Sequence, residues 1–139
     1  MEVLVVTAIL GILLGLALPA YRDYVRRGSI PEATAALSDY RIKMEQYYQD
    51  HRNYGSSEKC ANDEPAPAWK DFSPAGKRNF DYECSSSTDG QDYTLKATGK
   101  SGSVAAGHVY TLTSSTTKTT TFKGATVDKS CWVVRGDEC

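Results

Sequence analysis

"MEVLVVTAILGILLGLALPAYRDYVRR", residues 1–27, decides how the rest of the chain is read. Between Glu2 and Arg22 stand 19 residues without a single charge. As a helix they reach roughly 28 Å, about the thickness of a bilayer's hydrocarbon core. A chain of negative mean hydropathy thus gathers at its start a run long and apolar enough to span a membrane. Thr7, Gly11, Gly15 and Pro19 interrupt the run with small or helix-weakening residues, for which a plain anchor has no use.

About 118 of the 139 residues lie beyond Tyr21, enough for one domain with one core. With 16 basic and 17 acidic side chains the formal net charge is −1, so the molecule is neither a general polyanion binder nor an acidic tail. From Lys96 onward, Lys96, Lys100, Lys118, Lys123, Lys129 and Arg135 stand against Asp128, Asp137 and Glu138. That mild bias reads as a solvated face rather than a nucleic-acid surface.

Cys60, Cys84, Cys131 and Cys139 form no Cys-x-x-Cys pair and have no histidine at zinc-ligand spacing. An even count in a small domain reads as disulfides, which places everything after Tyr21 in an oxidising compartment. Arg22, Arg26 and Arg27, however, follow the apolar run and nothing basic precedes it, so the positive-inside tendency points the other way. A short basic leader ahead of Met1 reconciles the two, with this chain a processed or truncated form.

After Pro19 the pattern becomes amphipathic. Ile30, Ala33, Leu37, Tyr40, Met44 and Tyr47 recur at steps of three and four, one stripe for a core. Glu32, Asp39, Arg41, Lys43, Glu45 and Asp50 occupy other faces, with Asp39/Lys43 and Arg41/Glu45 spaced for pairing. Tyr40, Tyr47 and Tyr48 read as packing aromatics. "GSIPEA" (28–33) offers a capping box from Ser29 to Glu32 with Pro31 in the first turn, the mark of a new helix; the other reading is one long helix kinked at Pro19 and near Pro31. The helical signal ends around Asn53, Tyr54 and Gly55. Residues 56–78 hold Pro65, Pro67 and Pro74 and predict a connecting loop with short turns at most. Strands are predicted at 80–84, 92–97, 108–113, 119–123 and 131–134, antiparallel, with Tyr93, Leu95 and Ala97 pointing inward. The Ser/Thr-rich tract 111–121 reads as strand propensity.

His51 and His108 sit in no metal-ligand or nucleophile pattern, and no two carboxylates stand out as an acid and base. The residues therefore point to no catalytic site, metal or cofactor.

Taken together, the acidic residue, the apolar run with Gly-Ile-Leu and Pro-Ala-Tyr in order, the amphipathic continuation and the cysteines resemble the type IV pilins, close to the PilE-like pilins of Gram-negative bacteria. The most specific stretch is "EVLVVTAILGILLGLALPAYRDYV"; "RRGSIPEATAALSDYRIKMEQYYQDHRNYG" and the terminal "CWVVRGDEC" resemble the PilE-like subgroup. The resemblance implies an α+β fold in which one long bent N-terminal helix, transmembrane in its first half, packs on a four-stranded antiparallel sheet with a disulfide-closed region after it. It implies a transmembrane and assembly helix at 1–25 and a globular domain at 26–139. The subunit would wait in the inner membrane, be processed by prepilin peptidase and methylated, and join a homo-oligomeric or mixed filament through the assembly machinery. Such fibres serve adhesion, twitching motility or DNA uptake. A minor DNA-receptor pilin and a type II secretion pseudopilin are the other readings.

The assembly residues so implied are Glu2, Gly11, Gly15, Pro19, Tyr21 and Tyr24. Family members begin with a methylated Phe after the cleavage Gly, and their glutamate lies four residues later. Here Met1 directly precedes Glu2, so the expectation is that leader, cleavage Gly and three mature residues are missing. Four cysteines allow three connectivities. Cys131 and Cys139 bracket a short loop containing Arg-Gly-Asp, which reads as a turn, and Cys60 sits just ahead of the sheet that Cys84 enters. The expected pairs are Cys60–Cys84 and Cys131–Cys139.

Overall fold

A computed structural model describes residues 2–76, 78–136 and 138–139. Met1 and Asp137 of the Arg-Gly-Asp triplet lie outside them. One helix, α1 (Glu2–His51), runs unbroken through Pro19 and Pro31. Of the two readings of residues 28–33, the one continuous helix holds and the capped fresh start does not. Ser29 is buried and its hydroxyl donates back to the Arg26 carbonyl at 2.7 Å. Glu32 instead reaches across to the chain entering the sheet, accepting from the Arg78 and Asn79 amides at 2.9 and 3.1 Å and from Asn79 Nδ2 at 2.8 Å. Burial pushes the Glu32 carboxyl up, but these donors outweigh it and hold the group below its ordinary value. Arg52, at φ 60°, ends the helix, its N–H closing on the Tyr48 carbonyl.

A two-stranded ribbon comes next, β1 (Gly55–Ser56) with β2 (Lys59–Cys60). This corrects the expectation of turns only in 56–78. Gly55, at φ 140°, is required: a Cβ there would collide with the Lys59 carbonyl. The main sheet is an antiparallel meander of β3 (Phe80–Ser86), β4 (Tyr93–Gly99), β5 (Val109–Thr113), β6 (Lys118–Phe122) and β7 (Ala125–Val127). It has five strands, not four. Lys123 and Gly124, at φ 52° and 83°, make a two-residue turn that folds Ala125–Val127 back on β6.

Residues 131–134, predicted as a strand, pair with none. Val133 is fully buried, and side chains satisfy much of this segment's backbone: Val133 N–H donates to Thr120 Oγ1 at 3.0 Å, Thr120 Oγ1–H to the Cys131 carbonyl at 3.3 Å, and Tyr110 OH to the Val133 carbonyl at 3.1 Å, while Val134 N–H donates to the Glu138 carbonyl at 2.9 Å. Trp132 Nε1–H donates to the Thr111 carbonyl at 2.9 Å. The segment caps the core as an irregular lid. Disulfides join Cys60 to Cys84, which ties β2 to β3, and Cys131 to Cys139, which closes the lid's loop.

The core lies between one stripe of α1 and the inner face of the sheet. Ile30, Ala33, Leu37, Tyr40, Met44 and Tyr47 meet Phe80, Tyr93, Leu95, Ala97, Tyr110 and Leu112, all buried. Of the two spaced ion pairs, Asp39 and Lys43 meet at 2.7 Å. Arg41 and Glu45 do not, because the Glu45 carboxylate accepts from Tyr54 OH and Tyr93 OH, each at 3.1 Å.

Candidate functional site: an uncovered helix and a basic groove

The first half of α1 has no partner within the chain. Its apolar window is wholly unburied. Val3 is 74% exposed, Leu16 72% and Leu10 53%, where an aliphatic side chain of a folded domain is normally covered. Thr7 does not leave a polar group open in this run, since its hydroxyl donates to the Val3 and Leu4 carbonyls at 3.1 and 3.0 Å. Glu2, Gly11, Gly15, Pro19, Tyr21 and Tyr24 all lie on this half, and all six are exposed. A Cβ on Gly11 or Gly15 would meet nothing within 4 Å, so no contact inside the monomer calls for glycine at either position. The first buried residue along the helix is Arg26.

A second feature was not legible in the sequence. Arg41, Ile42 and Gln46 of α1 face Leu112 of β5, Lys118 of β6 and Trp132 of the lid across an open groove of 460 Å³. Lys118 Nζ stands 4.6 Å from the centre of the Trp132 ring. Among the described residues neither Arg41 nor Lys118 has an ion pair. Glu45, the carboxylate at the groove, is turned to Tyr54 and Tyr93; burial first, then Glu45 beside it, pushes Tyr54 up to about 12. The groove therefore presents two cations without an ion pair among the described residues, around an apolar and aromatic wall. Its members are separated by up to 91 positions, so no motif marks it. Among the described residues no cluster of His, Cys, Asp or Glu fit for a metal occurs.

Comparison with known proteins agrees with the architecture. A family model described as type IV minor pilin ComP, DNA uptake sequence receptor, matches residues 19–131. A fimbrial protein of Neisseria meningitidis serogroup A is 37% identical over 60 residues, 43% of this chain and 35% of that protein. Fimbrial protein EcpC of Eikenella corrodens is 43% identical over 49 residues, 35% of this chain and 32% of its own length. The type IV major pilin protein PilE of Neisseria gonorrhoeae is 40% identical over 50 residues, 36% of this chain and 30% of its own. The matches thus span about a third of these relatives' length. A solved type IV pilin from Shewanella oneidensis superposes with a TM-score of 0.50 at 15% identity, covering 67% of this chain and 89% of that one, which shows a shared fold. With one long helix laid on an antiparallel meander and the family model matched over most of its length, the chain belongs to the type IV minor pilin ComP family.

Proposed function

We propose that this protein is a structural subunit of a type IV pilus fibre, held in the inner membrane by residues 1–25 before assembly and joined to its neighbours by the same segment afterwards, with 26–139 as the domain outside the membrane. One observation carries the reading: an apolar half-helix that nothing in its own chain covers. Lipid and the apolar core of a fibre are both suitable surroundings for it, so transfer between them need not be costly. Gly11 and Gly15, unneeded in the monomer, allow a neighbouring helix to come close. The family and the fold are those of structural subunits rather than enzymes.

Glu2 is then the registering group. A carboxylate among apolar helices seeks a cation; its own helix N-terminus supplies partial positive charge, and a neighbour's terminal amine supplies a full one. When the protein is produced in piliated cells, Glu2→Gln is expected to insert normally and to reduce sheared surface fibre at least about tenfold, the effect of removing about 1.4 kcal/mol from each docking contact. Coexpression with wild type is expected to restore part of the incorporation. Unchanged fibre from the mutant alone removes Glu2 from the mechanism. Recovery of the wild-type chain in sheared fibres also separates a pilin from a secretion pseudopilin, which stays in the envelope.

The groove favours a second role within the first, reception of DNA. Arg41 and Lys118 are free for phosphates and Trp132 offers an aromatic surface, a combination that suits a nucleic acid. The family description supports the same role. Binding of duplex DNA, followed by fluorescence anisotropy, is expected to weaken in Lys118→Ala and Arg41→Ala, with the salt slope falling by about 0.9 for each phosphate that the variant no longer neutralises. Full binding with an unchanged slope in the double variant rules the groove out as the DNA surface.

A further inference from the structure

Three groups meet where α1 enters the domain. Arg26, the first buried residue of the helix, holds its guanidinium carbon 4.9 Å from the centre of the Phe122 ring at the end of β6. His108, which leads into β5, stands with its ring centre 4.7 Å from that of Phe122, the planes nearly perpendicular at 82°. Both residues are more than nine-tenths buried, at 8% and 3% exposure. Each has a buried nitrogen without a partner among the described residues, Arg26 Nε and His108 Nε2. Unsatisfied polar atoms are rare in a protein interior, and two on one aromatic ring call for a reason.

The imidazole's state follows from its contacts. Nδ1 lies 3.2 Å from the Ala105 carbonyl and 3.1 Å from that of Ala106, so it bears the proton and donates. Nε2 is left as a bare lone pair facing no donor. A second proton there would create a cation with nothing to receive its new N–H.

The charges around the ring oppose that second proton. From α1 comes Arg26, and from the turn after β6 comes Lys123, whose Nζ is 5.8 Å from the centre of the Phe122 ring. The loop 105–107 supplies carbonyls only. Asp23, the carboxylate of the adjoining helix turn, is held by Arg26 at 2.5 Å and Arg27 at 3.5 Å. Burial first, then Arg26 and Lys123, lowers the His108 pKa despite the two carbonyls.

We propose that His108, Phe122 and Arg26 form an acid-sensitive latch: with His108 neutral, the entering turn of α1 is seated on the end of the sheet, and protonation of His108 drives Arg26 off Phe122 and frees that turn. The direction follows from linkage. Below the ordinary imidazole value of 6.5 the unfolded or unlatched chain takes the proton while the seated form resists it. The seating contribution is complete above that value and is lost as pH falls toward the lowered midpoint. Release is local, because Leu37, Tyr40, Met44 and Tyr47 keep the later turns of α1 on the sheet. The latch thereby controls how firmly the exposed half-helix is aimed from the domain.

The test uses the full chain in detergent micelles, titrated from neutral to mildly acidic pH with isotope-resolved NMR and amide exchange. Expected are a His108 midpoint below 6.5, and loss of exchange protection at Arg26–Ile30 that follows this midpoint while Leu37–Tyr47 stays protected. His108→Phe is expected to remove the acid response at Arg26–Ile30. Arg26→Met, which keeps the packing stem and deletes the charge, is expected to raise the His108 midpoint. Protection at Arg26–Ile30 that is indifferent to the His108 titration, or a midpoint unmoved by Arg26→Met, overturns the latch. These two readings decide the matter even if His108→Phe does not fold.

Discussion

Removal of residues 1–25 is expected to convert the protein into a soluble monomer that leaves the membrane fraction and makes no fibre. The deleted half-helix carries eleven large aliphatic side chains, from Val3 to Leu18, each more than half exposed. At about 1.5 kcal/mol apiece, the low end for covering such a side chain, no other surface of the molecule offers a comparable drive to associate. The domain keeps its core, whose helical stripe begins only at Ile30. Sedimentation and electron microscopy of the truncated chain check this, and fibres formed without residues 1–25 would remove the helix from its assigned role.

The second large effect concerns the disulfides. Replacing Cys60 and Cys84 together by serine is expected to cost about 3.5 kcal/mol, against about 2.5 kcal/mol for Cys131 and Cys139, because the first pair closes the longer loop in the unfolded chain. Against a total of roughly 5–15 kcal/mol, the first loss is severe. Besides the disulfide, side-chain contacts tie the segment it closes, 61–79, to α1: Tyr47 OH donates to Asp63 Oδ2 at 2.9 Å, the Phe72 ring centre lies 4.6 Å from that of Tyr40, and Glu32 accepts from the Arg78 and Asn79 amides. Denaturant midpoints of the two double variants give the order. Limited proteolysis is expected to cut within 61–79 first when the Cys60–Cys84 link is absent. Equal losses, or the reverse order, contradict the loop-length argument.

Some of this protein is legible in the chain because it depends on neighbours a few positions apart. The apolar run 3–21 announces a helix that must be covered by something other than its own domain. The three-and-four spacing from Ile30 to Tyr47 names the stripe that the structure buries, and alternation at Tyr93, Leu95 and Ala97 names the inner face of β4. Even there, local rules misled where a longer contact was stronger. Ser29 and Glu32 have the spacing of a helix cap, but Glu32 finds three donors at Arg78 and Asn79, and the helix runs on. Glu45 has the spacing to pair with Arg41 but is taken by two tyrosine hydroxyls.

The lid shows the same division from the other side. Cys131–Val134 has the composition of a strand, and nothing within it says that Thr120 and Tyr110 will satisfy its backbone in place of a ladder. The true fifth strand, Ala125–Val127, is too short for a period and exists because Lys123 and Gly124 adopt the positive φ that folds it back on β6. By itself, then, the sequence determined the membrane-length helix, its buried stripe and the antiparallel character of the strands beyond it, since each is a matter of spacing along one element. Only the tertiary structure decided which cations are left unpaired, that Trp132 and Lys118 meet Arg41 across a groove, and that His108 and Arg26 share one ring. Those outcomes are competitions among donors and acceptors distant in the chain, and folding settles them by bringing the strongest partners within reach.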